Sequence, residues 1–487
     1  MTEIAGSLET RLLINGERMA GAGTPLEVFN PFTGEKVIDI PSANRDQVDA
    51  AVRAATEAFP AWRATPPGER ARMLGELAAH IEAEGDTYAA LECLNTGKPY
   101  FITRNFADVP TAVESIRFLS QNARSLSVPA ANEYIPGHLS MVRREPVGVC
   151  ALNPPWNYPL MISSIILSAA LASGNTVVLK PADPTPLSLL KLADAINAIF
   201  PKGVFNLVIG AGADVGSMLA AHPGVDMFQV TGSTETGKAV LGLATGNVKR
   251  THLELGGKAP VIISEHADVE AAVAELRMGS FANAGQDCTQ ACRIYAHKKV
   301  YDRFVSAFAD MANSIGYASD NDEENEMAPL FTRRHLDRVA QAVERAVALP
   351  HTELVAGGKA GPRGFFHEPT VIANALQDDD IVRNEVFGPV VSITPVDDME
   401  QAVAWANDCE FGLASSIFSR DINEALSIVP QLRFGVTWVN THFPMTAEMP
   451  HAGMKQSGYG SDGSIFSIED YTIPRHVMIK FANEEQG

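Results

Sequence analysis

From Val147 to Ser264, short apolar runs alternate with stretches that repeat apolar residues every three or four positions. Nothing else in the sequence narrows the possible folds as far. VGVCAL, TVVLK, VFNLVI, VDMFQV, THLEL and VIIS read as strands; MISSIILSAALA, LSLLKLADAINAIF and DVGSMLAA read as helices. Strands that alternate with helices build a parallel sheet with crossover helices, so this stretch predicts a doubly wound α/β domain. A similar rhythm resumes after Cys288, with RIYAH, a helix near Tyr301–Asn313, PVVSITPV, a helix near Met399–Asn407, ASSIFS and GVTWVN. It predicts a second parallel-sheet α/β domain. Upstream, Arg45–Ala61 and Gly68–Ala83 read as amphipathic helices. Two strand-like segments, Tyr134–Arg144 and HVMIKF at the C-terminal end, fit neither domain. They are expected to pair with each other or with another subunit.

The stretch Pro146–Leu179 carries no charge and has the composition of a membrane span. Pro154, Pro155 and Pro159 break its start, and Ser163, Ser164, Ser168, Ser173, Gly174 and Asn175 dilute the rest. A buried strand, a buried helix and a second buried strand account for it better. The net charge of −20 argues against nucleic-acid or anionic-membrane partners. The odd, sparse set Cys93, Cys150, Cys288, Cys292 and Cys409 points to a reducing compartment and a cytoplasmic protein.

Ligands of open parallel sheets bind beyond the carboxyl ends of the strands. Four loops follow predicted strands there and present Asn157 (NPPWNYP), Lys180 and Asp183 (KPAD), Gly232 and Ser233 (TGSTETG), and Glu254 (LELGG). GSTETGK has the Gly and Lys spacing of a phosphate loop, but Ala239 stands where Mg²⁺ needs a hydroxyl. That leaves a looser nucleotide site at a helix N-terminus. Cys288 follows Gly285, Gln286 and Asp287, so it is expected on an irregular turn that can expose sulfur. Cys292, Cys93, Cys150 and Cys409 read as core. Glu254, between two leucines, loses hydration and becomes a better proton acceptor. Asn157 can donate to a developing oxyanion. No His pair has metal-ligand spacing, and His252 and His266 lack evident partners.

In order, PWNYP, KPAD, TGSTETGK, LELGGKAP, NAGQDC, EVFGPV, WVN and SGYG resemble the NAD(P)-dependent aldehyde dehydrogenase superfamily, over essentially the whole chain. NAGQDCTQACRIYA, WVNTHF, EMPHAGMKQSGYG and SIEDYTIPRHVM resemble the bacterial γ-aminobutyraldehyde dehydrogenase group. The resemblance implies two doubly wound parallel-sheet domains, a Rossmann-like cofactor domain and a catalytic domain, plus a small β oligomerisation arm. The boundaries would be 1–126 with 146–256 for the cofactor domain, 257–454 for the catalytic domain, and 127–145 with 455–487 for the arm. A homodimer or homotetramer is then expected.

The resemblance makes Cys288 the nucleophile and Glu254 the general base, with Asn157 and the Cys288 backbone N–H as oxyanion hole. It assigns Trp156, Lys180, Asp183, Gly232, Ser233, Gly256, Glu385 and Phe387 to the cofactor. NAD-preferring members usually carry Glu where this chain has Asp183, so NAD is expected and NADP is possible. The implied chemistry runs through a thiohemiacetal and a thioester to an acid and needs no metal. The alternatives are a CoA-acylating dehydrogenase, whose members tend to lack the carboxylate at Glu254, and a catalytically silent relative. Asp108, Trp438 and Glu448, with Glu114 and Phe443, are expected to give the substrate tunnel an acidic, aromatic mouth suited to an ω-aminoaldehyde such as 4-aminobutyraldehyde.

Overall fold

The computed structural model describes residue 6, residues 8–125 and residues 131–481. Two sheets organise it. The first has eight strands, in the order Glu17–Met19, Leu12–Ile14, Phe205–Leu207, Thr176–Leu179, Val149–Asn153, Met227–Gly232, Arg250–Leu255 and Gly458–Tyr459. The five from Phe205–Leu207 to Arg250–Leu255 are mutually parallel, and the strands next to them on either side, Leu12–Ile14 and Gly458–Tyr459, run antiparallel. The chain winds outward from Val149–Asn153 in one direction and from Met227–Gly232 in the other. A ligand crevice is therefore expected beyond the carboxyl ends of these two strands.

The uncharged stretch becomes strand Val149–Asn153, helix Pro159–Ala172 and strand Thr176–Leu179, nearly all of it buried. An all-round apolar helix belongs in a core. No described helix is long and apolar enough to cross a membrane.

The second sheet has seven strands: Glu353–Ala356, Thr370–Ala373, Val390–Val396, Arg293–His297, Pro260–Ile263, Ala414–Phe418 and Val436–Val439. All but the first are parallel. Each sheet has its own apolar core. Four residues, Gly256–Ala259, carry the chain from the end of Arg250–Leu255 in the first sheet to the start of Pro260–Ile263 in the second. Helix Val269–Phe281 then leads to the Cys288 turn.

The two unplaced segments do pair. His138–Pro146 and Thr472–Lys480 run antiparallel through nine residue pairs, with Ala131–Ile135 on the other side of His138–Pro146. The expected arm boundary at 455 needs correction. Residues 455–463 do not lie in this ribbon: Gly458–Tyr459 joins the first sheet beside Leu253 and Glu254, and Ser461–Asp462 pairs with His451–Ala452. The glycines allow that approach, since Gly458 has φ +98° and a Cβ there would collide with the Leu253 carbonyl. The expected boundary at 126–127 and the last six residues of the arm lie outside the described residues.

Candidate active site

The loops beyond the first sheet and the Cys288 turn enclose a cavity of about 1110 Å³, at the upper end of ordinary ligand cavities. Its wall includes Asn157, Glu254 and Cys288, which reach it from three distant segments. Cys288 stands on a turn after Asn283 and Ala284, both left-handed with φ +51° and +54°, and after Gly285 with φ +65°. Gln286 anchors that turn: its Nε2 donates to the Asn283 and Pro329 carbonyls, and its Oε1 accepts from the Phe331 N–H. Asp287 Oδ1 accepts from the Thr289 N–H at 2.7 Å, and its Oδ2 accepts from the Tyr158 hydroxyl at 2.8 Å. The Cys288 thiol is pushed well up by desolvation, then by the negative charges of Glu254 and Asp287. It therefore keeps its proton until a base removes it.

Asn157 is buried, and its Nδ2 donates one hydrogen to the Gln286 carbonyl at 3.0 Å. The amide's second hydrogen remains for a substrate oxygen. Its own carbonyl accepts from Asn283 Nδ2 and from Lys98 Nζ, each at 3.1 Å. Glu254 is buried near the end of its strand, and its Oε1 has no hydrogen-bond partner among the described residues. His451 Nε2 lies 3.4 Å from that oxygen and 3.9 Å from Cys288 Sγ.

The residues expected at the cofactor surround the other part of the cavity. Lys180 is buried; its Nζ donates to Asp183 Oδ1 at 2.9 Å and to the Pro181 and Gly210 carbonyls. Asp183 Oδ2 accepts from the Gly212 N–H at 3.1 Å. Gly232 ends its strand, and Ser233 caps helix Thr234–Ala244 by accepting from the Thr236 N–H. Trp156 packs edge-on against Phe331, His335 and Phe387, with ring centroids 4.8, 5.6 and 5.3 Å away. Phe387 has φ +57°, and its carbonyl faces His335 Nε2 at 2.7 Å. Glu385 accepts from the Gly257 N–H at 2.9 Å, and burial pushes its carboxyl up to about 7. A Cβ on Gly256 would stand 2.5 Å from Glu385 Oε2, and one on Gly257 would strike the Cys288 carbonyl. The Gly-Gly pair is thus what lets the Glu254 strand end touch both neighbours. These residues fit a dinucleotide: an ammonium–carboxylate pair, a helix N-terminus with free N–H groups, an edge-packed aromatic wall and a further carboxylate all open on one cavity.

The three substrate residues need correction. Asp108 is fully buried and ion-paired with Lys98, because its helix turns that face into the core. Trp438 donates to the Pro444 carbonyl and packs at a tilt against the His442 ring, outside the cavity wall. Glu448 is exposed on the 445–449 loop, whose Met445, Thr446, Ala447 and Met449 line the cavity in its place. Glu114 does line it, with Thr111, Met161 and Ile165. His252 is not without partners: its Nε2 and Nδ1 lie 3.2 Å from Asp462 and 3.6 Å from Asp470. Cys409 is half-buried rather than core.

Lys98, His451 and Asp462 escaped the sequence reading. Lys98 follows Gly97, which signals only a helix stop. His451 and Asp462 reach the site through pairing of two-residue strands, which leave no periodic trace.

A model of the aldehyde dehydrogenase family matches residues 18–477. The mitochondrial aldehyde dehydrogenase of Leishmania tarentolae is 38% identical over 476 residues, spanning 96% of this chain and 95% of its own length. The phenylacetaldehyde dehydrogenase of Pseudomonas fluorescens is 37% identical over 487 residues, spanning 97% and 96%. The crystal structure of betaine aldehyde dehydrogenase from Staphylococcus aureus in complex with NAD⁺ superposes with a TM-score of 0.95 at 32% identity, covering 100% of this chain and 98% of that one.

Proposed function

The chain belongs to the aldehyde dehydrogenase family, and from that premise we propose how its cavity works and which aldehyde it prefers. It is an NAD(P)-dependent oxidoreductase of aldehydes. The convergence of Cys288, Glu254 and Asn157 on one cavity carries the mechanistic reading. Cys288 sulfur attacks the aldehyde carbon. The free Nδ2 hydrogen of Asn157 and the Cys288 N–H hold the resulting oxyanion. The nicotinamide cofactor, when bound, supplies the hydride acceptor. Glu254 then takes a proton from the water that cleaves the thioester, releasing the acid. Lys180 and Asp183 hold the adenosine ribose, and Glu385 and Phe387 the nicotinamide ribose end. Trp156, Gly232, Ser233 and Gly256 form the walls between. Asp183 disfavours a 2′-phosphate by charge repulsion, so NAD is preferred over NADP. Residues 1–126 with 146–256 serve as the cofactor domain and 257–454 as the catalytic domain. The ribbon Ala131–Pro146 with Thr472–Lys480 joins subunits into a dimer or tetramer.

The preferred substrate is an ω-aminoaldehyde such as 4-aminobutyraldehyde. With Asp108, Trp438 and Glu448 directed elsewhere, the reading rests on Glu114, Asp287 and Asp462 in the cavity wall. Asp462 is 2% exposed and lies 3.2 Å from His252 Nε2, and neither of its carboxylate oxygens makes a hydrogen bond among the described residues. Arg333, Arg334 and Arg338 belong to the helix that carries His335, on the aromatic side assigned to cofactor. An ammonium gains from this acidic lining, and a distal carboxylate is repelled. NADH formation from 4-aminobutyraldehyde, butyraldehyde and succinate semialdehyde, measured with NAD⁺ and NADP⁺ at low and high salt, tests it. The aminoaldehyde should lead by about ten- to a hundredfold in kcat/KM, or about 1.4–2.7 kcal/mol. Equal or better use of succinate semialdehyde refutes the cationic preference and leaves aldehyde oxidation standing.

A further inference from the structure

We propose that His451 is a catalytic residue whose Nε2 takes the proton from the Cys288 thiol as the sulfur attacks. The inference rests on Cys288 being the nucleophile. His451 is buried, and its strand His451–Ala452 is locked to Ser461–Asp462. Its Nε2 lies 3.9 Å from Sγ and 3.4 Å from Glu254 Oε1, while Nδ1 has no partner among the described residues. The three ligating atoms of Glu254, Cys288 and His451 stay within 4.8 Å of one another. One nitrogen thus faces both the nucleophile and the general base.

The chemistry needs such a group. Glu254 and Asp287 beside the sulfur oppose a standing thiolate, and the charges that act most strongly on the thiol are all carboxylates. A neutral imidazole can accept the thiol proton without first adding negative charge. Once charged, its Nε2–H faces the Glu254 carboxylate, and Asp462 across the strand pair and Asp287 on the Cys288 turn add their attraction. Burial works against that charged form, but these carboxylates outweigh it, and the imidazole's proton affinity is raised overall. In the step, the S–H bond breaks and an N–H bond forms at Nε2. The S–C bond forms as the carbonyl π pair moves onto oxygen, where Asn157 and the Cys288 N–H receive it. Cavity water then carries the proton from the imidazolium to bulk, and Glu254 stays free to deprotonate the hydrolytic water. The division of labour gives each base one proton.

Iodoacetamide alkylation of Cys288, followed from pH 5 to 10 without aldehyde, reads this step directly. The wild-type rate should rise with pH and level off as His451 becomes neutral. In His451→Gln and His451→Asn, each checked for NAD⁺ binding, the rate at pH 7 should fall on the order of tenfold or more and keep climbing through pH 9. Variant profiles that keep the wild-type shape, even if uniformly lowered, overturn the proposal. So does a wild-type profile that climbs through pH 9 without levelling, whatever the variants do. Aldehyde turnover by Cys288→Ala would instead overturn the nucleophile assignment, so the two failures are separable.

Discussion

Cys288 and Cys292 are four residues apart and chemically identical, and burial separates them. Cys288 opens on the cavity, whereas Cys292 is 4% exposed and does not line it; burial raises both thiols. Cys288→Ala should lower NADH formation by roughly three orders of magnitude or more while NAD⁺ still binds, whereas Cys292→Ala should keep most of the activity. Comparable turnover by the two variants would sink the assignment. Glu385 invites a pH test. Burial lifts its carboxyl to about 7, so below that pH it is neutral and above it ionised. Only the ionised form offers both oxygens to ribose hydroxyls while still accepting from Gly257. NAD⁺ affinity should therefore tighten from pH 6 to pH 8 in the wild type and stay flat in Glu385→Gln, as read by calorimetric titration. The same proton, kept by the folded protein and lost by the unfolded chain, removes stability as pH rises from about 4.5 to 7. Cys288 was legible at this scale because Gln286 and Asp287 are wrong for a buried helix. Asp108 was not, because its helical spacing leaves open whether that face meets solvent or core.

Between elements, the support under Asn157 comes from a lysine. Helix Gly85–Thr96 ends at Gly97, with φ +71°. Lys98 then turns inward, pairs with Asp108 and reaches within 3.8 Å of Glu92. Its Nζ also lies 4.4 Å from the centre of the Tyr158 ring and donates to the Asn157 carbonyl. All three side chains are at most 1% exposed, and burial raises the Glu92 carboxyl to about 8. Removing the cation leaves the buried Asp108 carboxylate without a counter-charge, which typically costs about 3–5 kcal/mol. Lys98→Met should lose stability of that order in urea unfolding and slow the chemical step through a loosened Asn157. A midpoint within error of the wild type would show that the cluster is not what holds these helices together.

Over the whole molecule, the ribbon stands apart from both cores. Tyr134, Ile135, Ile473, Met478, Ile479 and Phe481 are all exposed on it, a grouping of large apolar side chains that a lone soluble chain rarely shows. If the ribbon joins subunits, Ile479→Asp combined with Met478→Asp should shift sedimentation toward the monomer mass with the single-chain fold intact by circular dichroism. A wild-type chain that already sediments as a monomer would refute the assembly.

The order of strands and helices, the two parallel sheets and the loops bearing Asn157, Lys180, Asp183, Glu254 and Cys288 were all determined locally. Periodicity of two or 3.6, a Gly or Pro stop and a polar turn are written in neighbouring residues. That Tyr134–Arg144 and the C-terminal segment are orphan strands in need of a partner was also readable, but that they pair with each other was decided by the fold. Tertiary packing alone decided that Asp108 faces Lys98 instead of the cavity, that residues 455–463 return to the first sheet, and that His451 stands between Cys288 and Glu254. The last two depend on which faces meet across more than a hundred residues of chain, and the first on which face of a helix the core covers. Short extended segments and single buried charges have no periodicity to announce them, and only the closed fold fixes their partners.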